Sequence, residues 1–194
     1  MRGVEQIPWL YDALLAVGEA TGLKSWREWL VRGARGWVLD LGCGTGRNLP
    51  LFSRDTHSVG VDPCHQTLLK AKKRAPGIPL VRASAEALPF KPGIFDTVVS
   101  GLVFCSVPNP LKGLAEVKRV LAPSGELRML EHVRSTTRLG AKWQDFIQPA
   151  WTAVAGGCHP NRDTEANVRA AGFLIDEKSA RAEKNLRRFL ARPS

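Results

Sequence analysis

With 194 residues the chain has room for one compact domain and a short appendage, which excludes two full domains. Apolar residues at 44% and charged residues at 24% exclude disorder as the main state and supply a core that needs no disulfide staples. The formal charge of +10 comes from two blocks, residues 63–82 with five bases and no acid, and residues 178–194 with six bases against Glu183.

The appendage comes first. From Pro8 to about Val31 apolar residues recur at helical spacing, Leu10, Leu14 and Val17 on one face, then Trp26, Leu30 and Val31 after the Gly22 break. This predicts a helical cap over residues 1–35. Trp37 to Leu41 predicts a strand ending at glycines, Arg47 to Phe52 a helix, and Ser58 to Val61 a second strand. His65 to Arg74 has helical spacing, followed by strands at Ile78 to Arg82 and Phe95 to Ser100. Leu111 to Leu121 predicts a helix, and the turn residues Pro123, Ser124 and Gly125 lead into a strand from Glu126 to Val133. A last helix, Thr164 to Ala171, precedes a strand at Phe173 to Lys178, after which the basic residues read as a soluble tail. Residues 135–163 have no clear period, and a structureless loop of that length is unusual, so they are expected to fold locally as a lid or substrate wall.

Strands alternating with helices imply βαβ crossovers and a parallel sheet with helices on both faces. Ligands then bind beyond the carboxyl ends of the strands, where the strand order reverses.

The cysteines Cys43, Cys64, Cys105 and Cys158 show no C-x-x-C spacing, and a reduced, cytoplasmic protein is expected. Glu5, Pro8 and Asp12 interrupt what would have to be a signal core, and no run has the length of a membrane span. Export and integral insertion are both disfavoured.

In VLDLGCGTGRNL, Asp40 ends the first strand and Gly42, Gly44 and Gly46 alternate behind it. Glycines there let backbone approach a ligand and permit a sharp strand-to-helix turn. A dinucleotide fingerprint would place Gly or Ala where Arg47 stands, and a phosphate loop would need G-K-[ST]. NAD and ATP are both weakened. A cationic ligand without pyrophosphate remains, with Asp40 at the loop mouth to accept from an ammonium group. S-adenosylmethionine fits, since Asp62, ending the second strand in GVDP, can accept from its vicinal ribose hydroxyls.

These residues, with AEALPF at Ala85 to Phe90, FDTVVS at Phe95 to Ser100 and EVKRVLAPSGEL at Glu116 to Leu127, resemble class I S-adenosylmethionine-dependent methyltransferases. The resemblance implies an α/β fold, a Rossmann-like seven-stranded, mostly parallel sheet with helices on both faces, over residues 36–194. It implies that Gly42, Cys43, Gly44 and Gly46 back the cofactor, that Asp62, with Pro63 beside it, holds the ribose, and that the backbone near Ala85 and Glu86 meets the adenine. Ser100, Gly101 and Leu102 would line the methionine end, and Tyr11 on the cap would cover the cofactor. Ser84 stands where many relatives have Asp, and Cys105 and Ser106 stand where relatives often carry a His pair. Roles of those absent residues do not carry over. LVFCSVPNP, LEHVRS and AGGCHPNRDT are similar to a subgroup of bacterial phospholipid N-methyltransferase-like proteins related to animal alkyl thiol methyltransferases.

Methyl transfer from an activated donor asks mainly for alignment and exclusion of water. An acceptor amine or thiol must also lose a proton, and His132 and His159 are the candidates to take it. Cys158 and His159 with Cys105 make a poor metal site, with adjacent ligands and no fourth partner, so no metal is expected. Trp143 and Trp151 offer apolar walls, while Arg162 and Asp163 are placed to brace the lid.

The expected activity is methylation of a small apolar or amphiphilic acceptor, a phospholipid headgroup amine or a thiol. The basic blocks would allow peripheral contact with an anionic membrane. A nucleic-acid methyltransferase is the alternative that the charge raises, but no aromatic residues interleave with the basic runs. A quinone C-methyltransferase is a further alternative, and the oligomeric state is not encoded legibly.

Overall fold

The computed structural model describes residues 23–135, 137–154, 157–159, 161–183 and 186–194. Tyr11 and most of the predicted cap lie outside these residues. What is described of the cap is helix α1 (Lys24–Arg32), which buries Trp26, Leu30 and Val31.

The chain then alternates as its periodicity implies. The strands are β1 (Trp37–Leu41), β2 (His57–Asp62), β3 (Leu80–Arg82), β4 (Phe95–Gly101), β5 (Leu121–His132), β6 (Phe173–Glu183) and β7 (Leu186–Pro193). The helices after α1 are α2 (His65–Arg74), α3 (Pro110–Val120), α4 (Arg138–Val154) and α5 (Thr164–Ala170). One sheet of seven strands results, in the order β3-β2-β1-β4-β5-β7-β6. Strands β1 to β5 pair in parallel, and β7 runs antiparallel to both β5 and β6. This is the Rossmann-like architecture expected from the sequence. Its strand order reverses between β1 and β4, which fixes the ligand crevice at their carboxyl ends.

Alternation along the strands feeds two cores. Leu39, Leu41, Val98, Leu127 and Met129 face one way and pack with Leu114, Val117 and Val120 of α3 and Val168 of α5. Val38, Val99 and Leu130 face the other way, onto Leu30 and Val31 of α1 and Leu68 and Ala71 of α2. Helices therefore cover both faces.

Arg128 docks α1 on the sheet. From β5 its Nε and Nη2 donate to the carbonyls of Leu30 and Trp29, at 2.7 and 2.8 Å, and its Nη1 donates to Glu126 at 2.9 Å. The last carbonyls of a helix lack partners within it, and here a guanidinium supplies them.

Three local expectations need correction. The helix expected over Arg47 to Phe52 is a single 3-10 turn, Leu49–Leu51, because Pro50 has no amide proton with which to extend it. The strand expected from Glu126 begins at Leu121, and a register shift opposite Phe95 and Thr97 absorbs the Pro123 to Gly125 segment. The soluble tail is strand β7, seated between β5 and β6 with Phe189 and Ala191 fully buried. Its arginines are engaged. Arg187 pairs with Glu165, Arg192 lies 3.6 Å from Glu126, and the Arg188 guanidinium sits over the rings of Trp26 and Trp29. Within the stretch 135–163, where a locally folded lid or substrate wall was expected, Arg138–Val154 form α4.

Candidate functional site

A cavity of about 600 Å³ opens at the carboxyl ends of β1 and β2. Its walls come from the glycine turn after β1, the first residues of α2, the segment after β3 and the segment after β4. Of the residues expected to hold a cofactor, Gly42, Gly44, Asp62, Pro63, Ser84, Ala85 and Leu102 line it. Asp40, Cys43, Gly46, Glu86, Ser100 and Gly101 do not; they lie behind the wall and shape it.

The glycine turn is held from both sides. The Gly46 amide donates to the Cys43 carbonyl at 2.8 Å, and the Cys43 amide donates to Val61 at 2.9 Å. Gly46 has φ +80°, and a Cβ there would lie 2.9 Å from Ala71 Cα, so the turn packs directly on α2. Gly44 has φ +53°, and a Cβ there would meet nothing closer than 4.0 Å, which leaves the cavity side of the loop open to a ligand. Cys43 itself is buried with its sulfur toward Gly60, so only its backbone belongs to the turn.

Asp62 ties this turn to α2. Its Oδ2 accepts from the Gly44 amide at 3.0 Å, and its Oδ1 accepts from the Cys64 amide at 2.8 Å and from Thr67 Oγ1 at 2.9 Å. Burial raises its pKa above the ordinary carboxylate value despite these donors.

Asp40 is not at the loop mouth. It lies fully buried beneath the turn, where Asn48 Nδ2 donates to its Oδ1 at 2.8 Å and Arg27 Nη1 of α1 donates to Asn48 Oδ1 at 2.7 Å. Its Oδ2 has no hydrogen-bond partner among the described residues. Desolvation pushes its pKa up to about 7. Strand alternation puts the Asp40 side chain on the same side as Val38, the side that α1 covers.

The other wall rests on Glu131, which the sequence reading did not single out. This fully buried carboxylate accepts from Ser100 Oγ at 3.1 Å and from the amides of Val103 and Phe104, both at 3.0 Å. Burial raises its pKa to about 7, and the donors oppose the shift. It fixes the turn in which Leu102 adopts φ +62°, a left-handed conformation rare for a leucine, at the edge of the cavity. Ser100 is thus a partner of Glu131 and not a wall residue. Glu86 likewise supports: its Oε1 accepts from the Asn109 amide at 2.6 Å, while Ser84 Oγ accepts from the Glu86 amide at 3.2 Å. Arg82, Gln66, Val103, Ser106 and Val107 complete the walls and were not expected there. A position after each parallel strand end was the signal available for them.

Neither His132 nor His159 lines the cavity, whereas His65 at the start of α2 does. His132 closes β5 and groups with Cys105 and Cys158. Hydrogen bonding from Cys105, then from His132 and Trp151, holds the Cys158 thiol below its ordinary pKa, and the same pairing raises Cys105. His159 bonds through Nδ1 to the Gly157 carbonyl at 2.7 Å, so that nitrogen carries the proton and Nε2 is the acceptor. The lid is braced. Arg162 Nη1 donates to the carbonyls of Phe104 and Val107, Asp163 caps α5 through the Ala166 amide, and Arg134 clamps Asp145 of α4 with two bonds of 2.7 Å. Trp143, together with Leu139 and Phe146, lies on an exposed face of α4 and not in the cavity wall.

Residues 39–129 match the family model described as a methyltransferase domain. Thiol S-methyltransferase TMT1B of Homo sapiens is 35% identical over 151 residues, covering 73% of this chain and 62% of that protein. Phosphatidylethanolamine N-methyltransferase of Cereibacter sphaeroides is 35% identical over 107 residues, 52% of each chain. The chain thus spans about three fifths of the length of the thiol methyltransferases it matches. Among solved structures, a Thermotoga maritima S-adenosylmethionine-dependent methyltransferase, described as a possible histamine N-methyltransferase, superposes with a TM-score of 0.72 over 98% of both chains at 22% identity. That likeness is one of fold.

Proposed function

From the premise that residues 39–129 are a methyltransferase domain, we propose that this chain moves a methyl group from S-adenosylmethionine to a small apolar or amphiphilic acceptor, with a thiol as first choice. One observation carries the cofactor: a cavity at the strand-order reversal with Asp62 in its wall and an open face at Gly44. The residues suit that ligand. Asp62 and the start of α2 would hold the ribose, the 83–85 backbone the adenine, and Gly42, Gly44 and Leu102 the methionine end. Asp40 would act from beneath, by holding Asn48 under the turn, and the ammonium contact expected of it is withdrawn.

S-adenosylmethionine supplies an activated methyl on a cationic sulfur. The chain's own task is alignment and dryness, for which the braced lid and the Leu102 turn are the relevant parts. His159 does not line the cavity, so the acceptor's proton would reach its Nε2 through a bridging water. His132, grouped with two thiols, is better placed as a partner of sulfur than as a free base.

The thiol choice rests on the thiol methyltransferase relatives and on that sulfur cluster. A headgroup amine is the second reading. Leu139, Trp143 and Phe146 on α4 are 83%, 62% and 76% exposed, an apolar face that suits an amphiphilic acceptor or a membrane surface. No helix among the described residues is long and apolar enough to cross a membrane. A nucleic-acid acceptor is weakened, since the arginines of β7 are committed to Glu165, Glu126 and two tryptophan rings.

Incubation with methyl-labelled donor and separate thiols, ethanolamine phospholipids, quinols and RNA tests the reading. Label should enter the thiol; transfer only to a lipid or to RNA would replace the acceptor, and no transfer with no donor uptake would end the proposal.

A further inference from the structure

Sequence spacing sets Cys158 beside His159, a poor pairing for one ion. The fold substitutes a better histidine. Cys105, His132 and Cys158 each offer one ligand atom, and these three atoms lie within 4.8 Å of one another. They arrive from three remote segments: the turn after β4, the last residue of β5, and the stretch between α4 and α5.

The distances suit a tetrahedral ion. With metal–sulfur bonds of about 2.3 Å and metal–nitrogen bonds of about 2.0–2.1 Å, ligand atoms stand about 3.5–3.8 Å apart, so a pair at the 4.8 Å limit needs to close by about 1.0–1.3 Å. The frame is already fixed around them. The His159 amide donates to the Cys105 carbonyl at 2.8 Å, Thr152 Oγ1 donates to the Cys158 carbonyl at 3.0 Å, and Glu131 holds the amides on either side of Phe104. Both cysteines are buried, at 2% and 7% exposure, so the sulfurs are shielded from bulk solvent.

The donor set selects the ion. Two sulfurs and an imidazole favour a zinc-class cation over magnesium or calcium, which take oxygen ligands. Three protein ligands leave one tetrahedral position free, the arrangement that distinguishes reactive zinc sites from closed structural ones. The cluster also borders the cavity: Ser106 Oγ lies 3.7 Å from Cys105 Sγ, and Val103, Ser106 and Val107 are wall residues.

We propose that Cys105, His132 and Cys158 bind one zinc-class divalent ion whose fourth position takes the acceptor thiol as its thiolate. The ion site stands on geometry alone; the thiol ligand rests on the methyltransferase reading above. A metal-bound thiol gives up its proton, which leaves by the same route to water. The acceptor sulfur then forms a bond to the methyl carbon as the donor's carbon–sulfur bond breaks. A thiol and a sulfonium become a thioether, a neutral sulfide and one proton, with no change of oxidation state and no further reactant.

Cobalt(II) is the probe. The full-length chain, purified reduced and freed of metal, should bind one Co²⁺ with the intense sulfur-to-metal charge-transfer band and the ligand-field bands of a tetrahedral site. Cys105→Ser and Cys158→Ser should each weaken the charge-transfer band, the double variant should abolish it, and His132→Gln should shift the ligand-field bands. An alkanethiol should shift those bands and ethanolamine should not. Absence of the charge-transfer band in the wild type, or its survival in the double variant, overturns the ion site; unchanged bands on thiol addition overturn its fourth ligand. Donor affinity measured on the same preparations separates these failures. Retained donor binding with no Co²⁺ site refutes only this inference and shows that the variants fold, whereas absent donor binding refutes the methyltransferase reading.

Discussion

The two flanks of the sheet reach their sites by opposite means. On the β1–β2–β3 flank the cavity is built from contiguous motifs: the glycine turn, GVDP and the start of α2 follow one another and bond locally, as Gly44, Cys64 and Thr67 do with Asp62. On the β5–β7–β6 flank the parts come from far apart, with Glu131 gathering the turn after β4 and Arg162 reaching back to Phe104 and Val107. On the function proposed above, a common donor is met by local motifs, and an acceptor site assembled at long range can change without disturbing them.

Substitutions on each flank break or sharpen this contrast. Gly46→Ala forces a Cβ against α2 at φ +80°, and should cost about 3 kcal/mol in chemical denaturation and abolish donor binding in calorimetry. His159→Gln, on the other flank, should lower turnover by about 100-fold with donor affinity unchanged. An equal loss of donor affinity would erase the division between flanks. Arg128→Ala removes the groups that hold the last carbonyls of α1; a loss of about 2 kcal/mol is expected in denaturant titration.

Each flank carries one buried carboxyl that responds to pH, Asp40 beneath the glycine turn and Glu131 beneath the Leu102 turn. Burial raises the folded pKa of Asp40 from 3.8 to about 7, with Asn48, Arg27 and Asp62 facing it, so the native state holds a proton that the unfolded state has released. Between about pH 4 and 7, Asp40 therefore subtracts stability as pH rises, by up to about 1 kcal/mol per pH unit. Asp40→Asn should flatten that component of the slope, and an unchanged slope would remove Asp40 from the account. The smallest effect is expected at Arg188→Gln, which loses the contacts over Trp26 and Trp29; about 0.5–1 kcal/mol should disappear from stability with turnover intact.

The same contrast explains what could be read in advance. β1 and β4 were legible because a parallel strand buried on both faces is a short apolar run closed by glycine or acid, as in Trp37 to Leu41, and α2 because its apolar residues recur at helical spacing. β7 was not. In LRRFLARP three arginines interrupt the apolar residues; the Arg188 guanidinium lies over Trp26 and Trp29, Arg187 pairs with Glu165 and Arg192 lies near Glu126. Composition alone reads such a strand as a tail. Asp40 was expected at the mouth and lies buried instead, since sequence order cannot say that Arg27 and Asn48 would enclose it. The Cys105, His132 and Cys158 cluster was invisible for a related reason: spacing along the chain suggested His159, and only the end of β5 brings His132 to the two sulfurs.

Isothermal titration of S-adenosylmethionine and of its demethylated product into the full-length chain tests the central claim most directly. The account expects one site per chain for each, with affinity lost in Asp62→Ala while the fold, followed by circular dichroism, persists. No heat with either compound, or undiminished binding by Asp62→Ala, would contradict it.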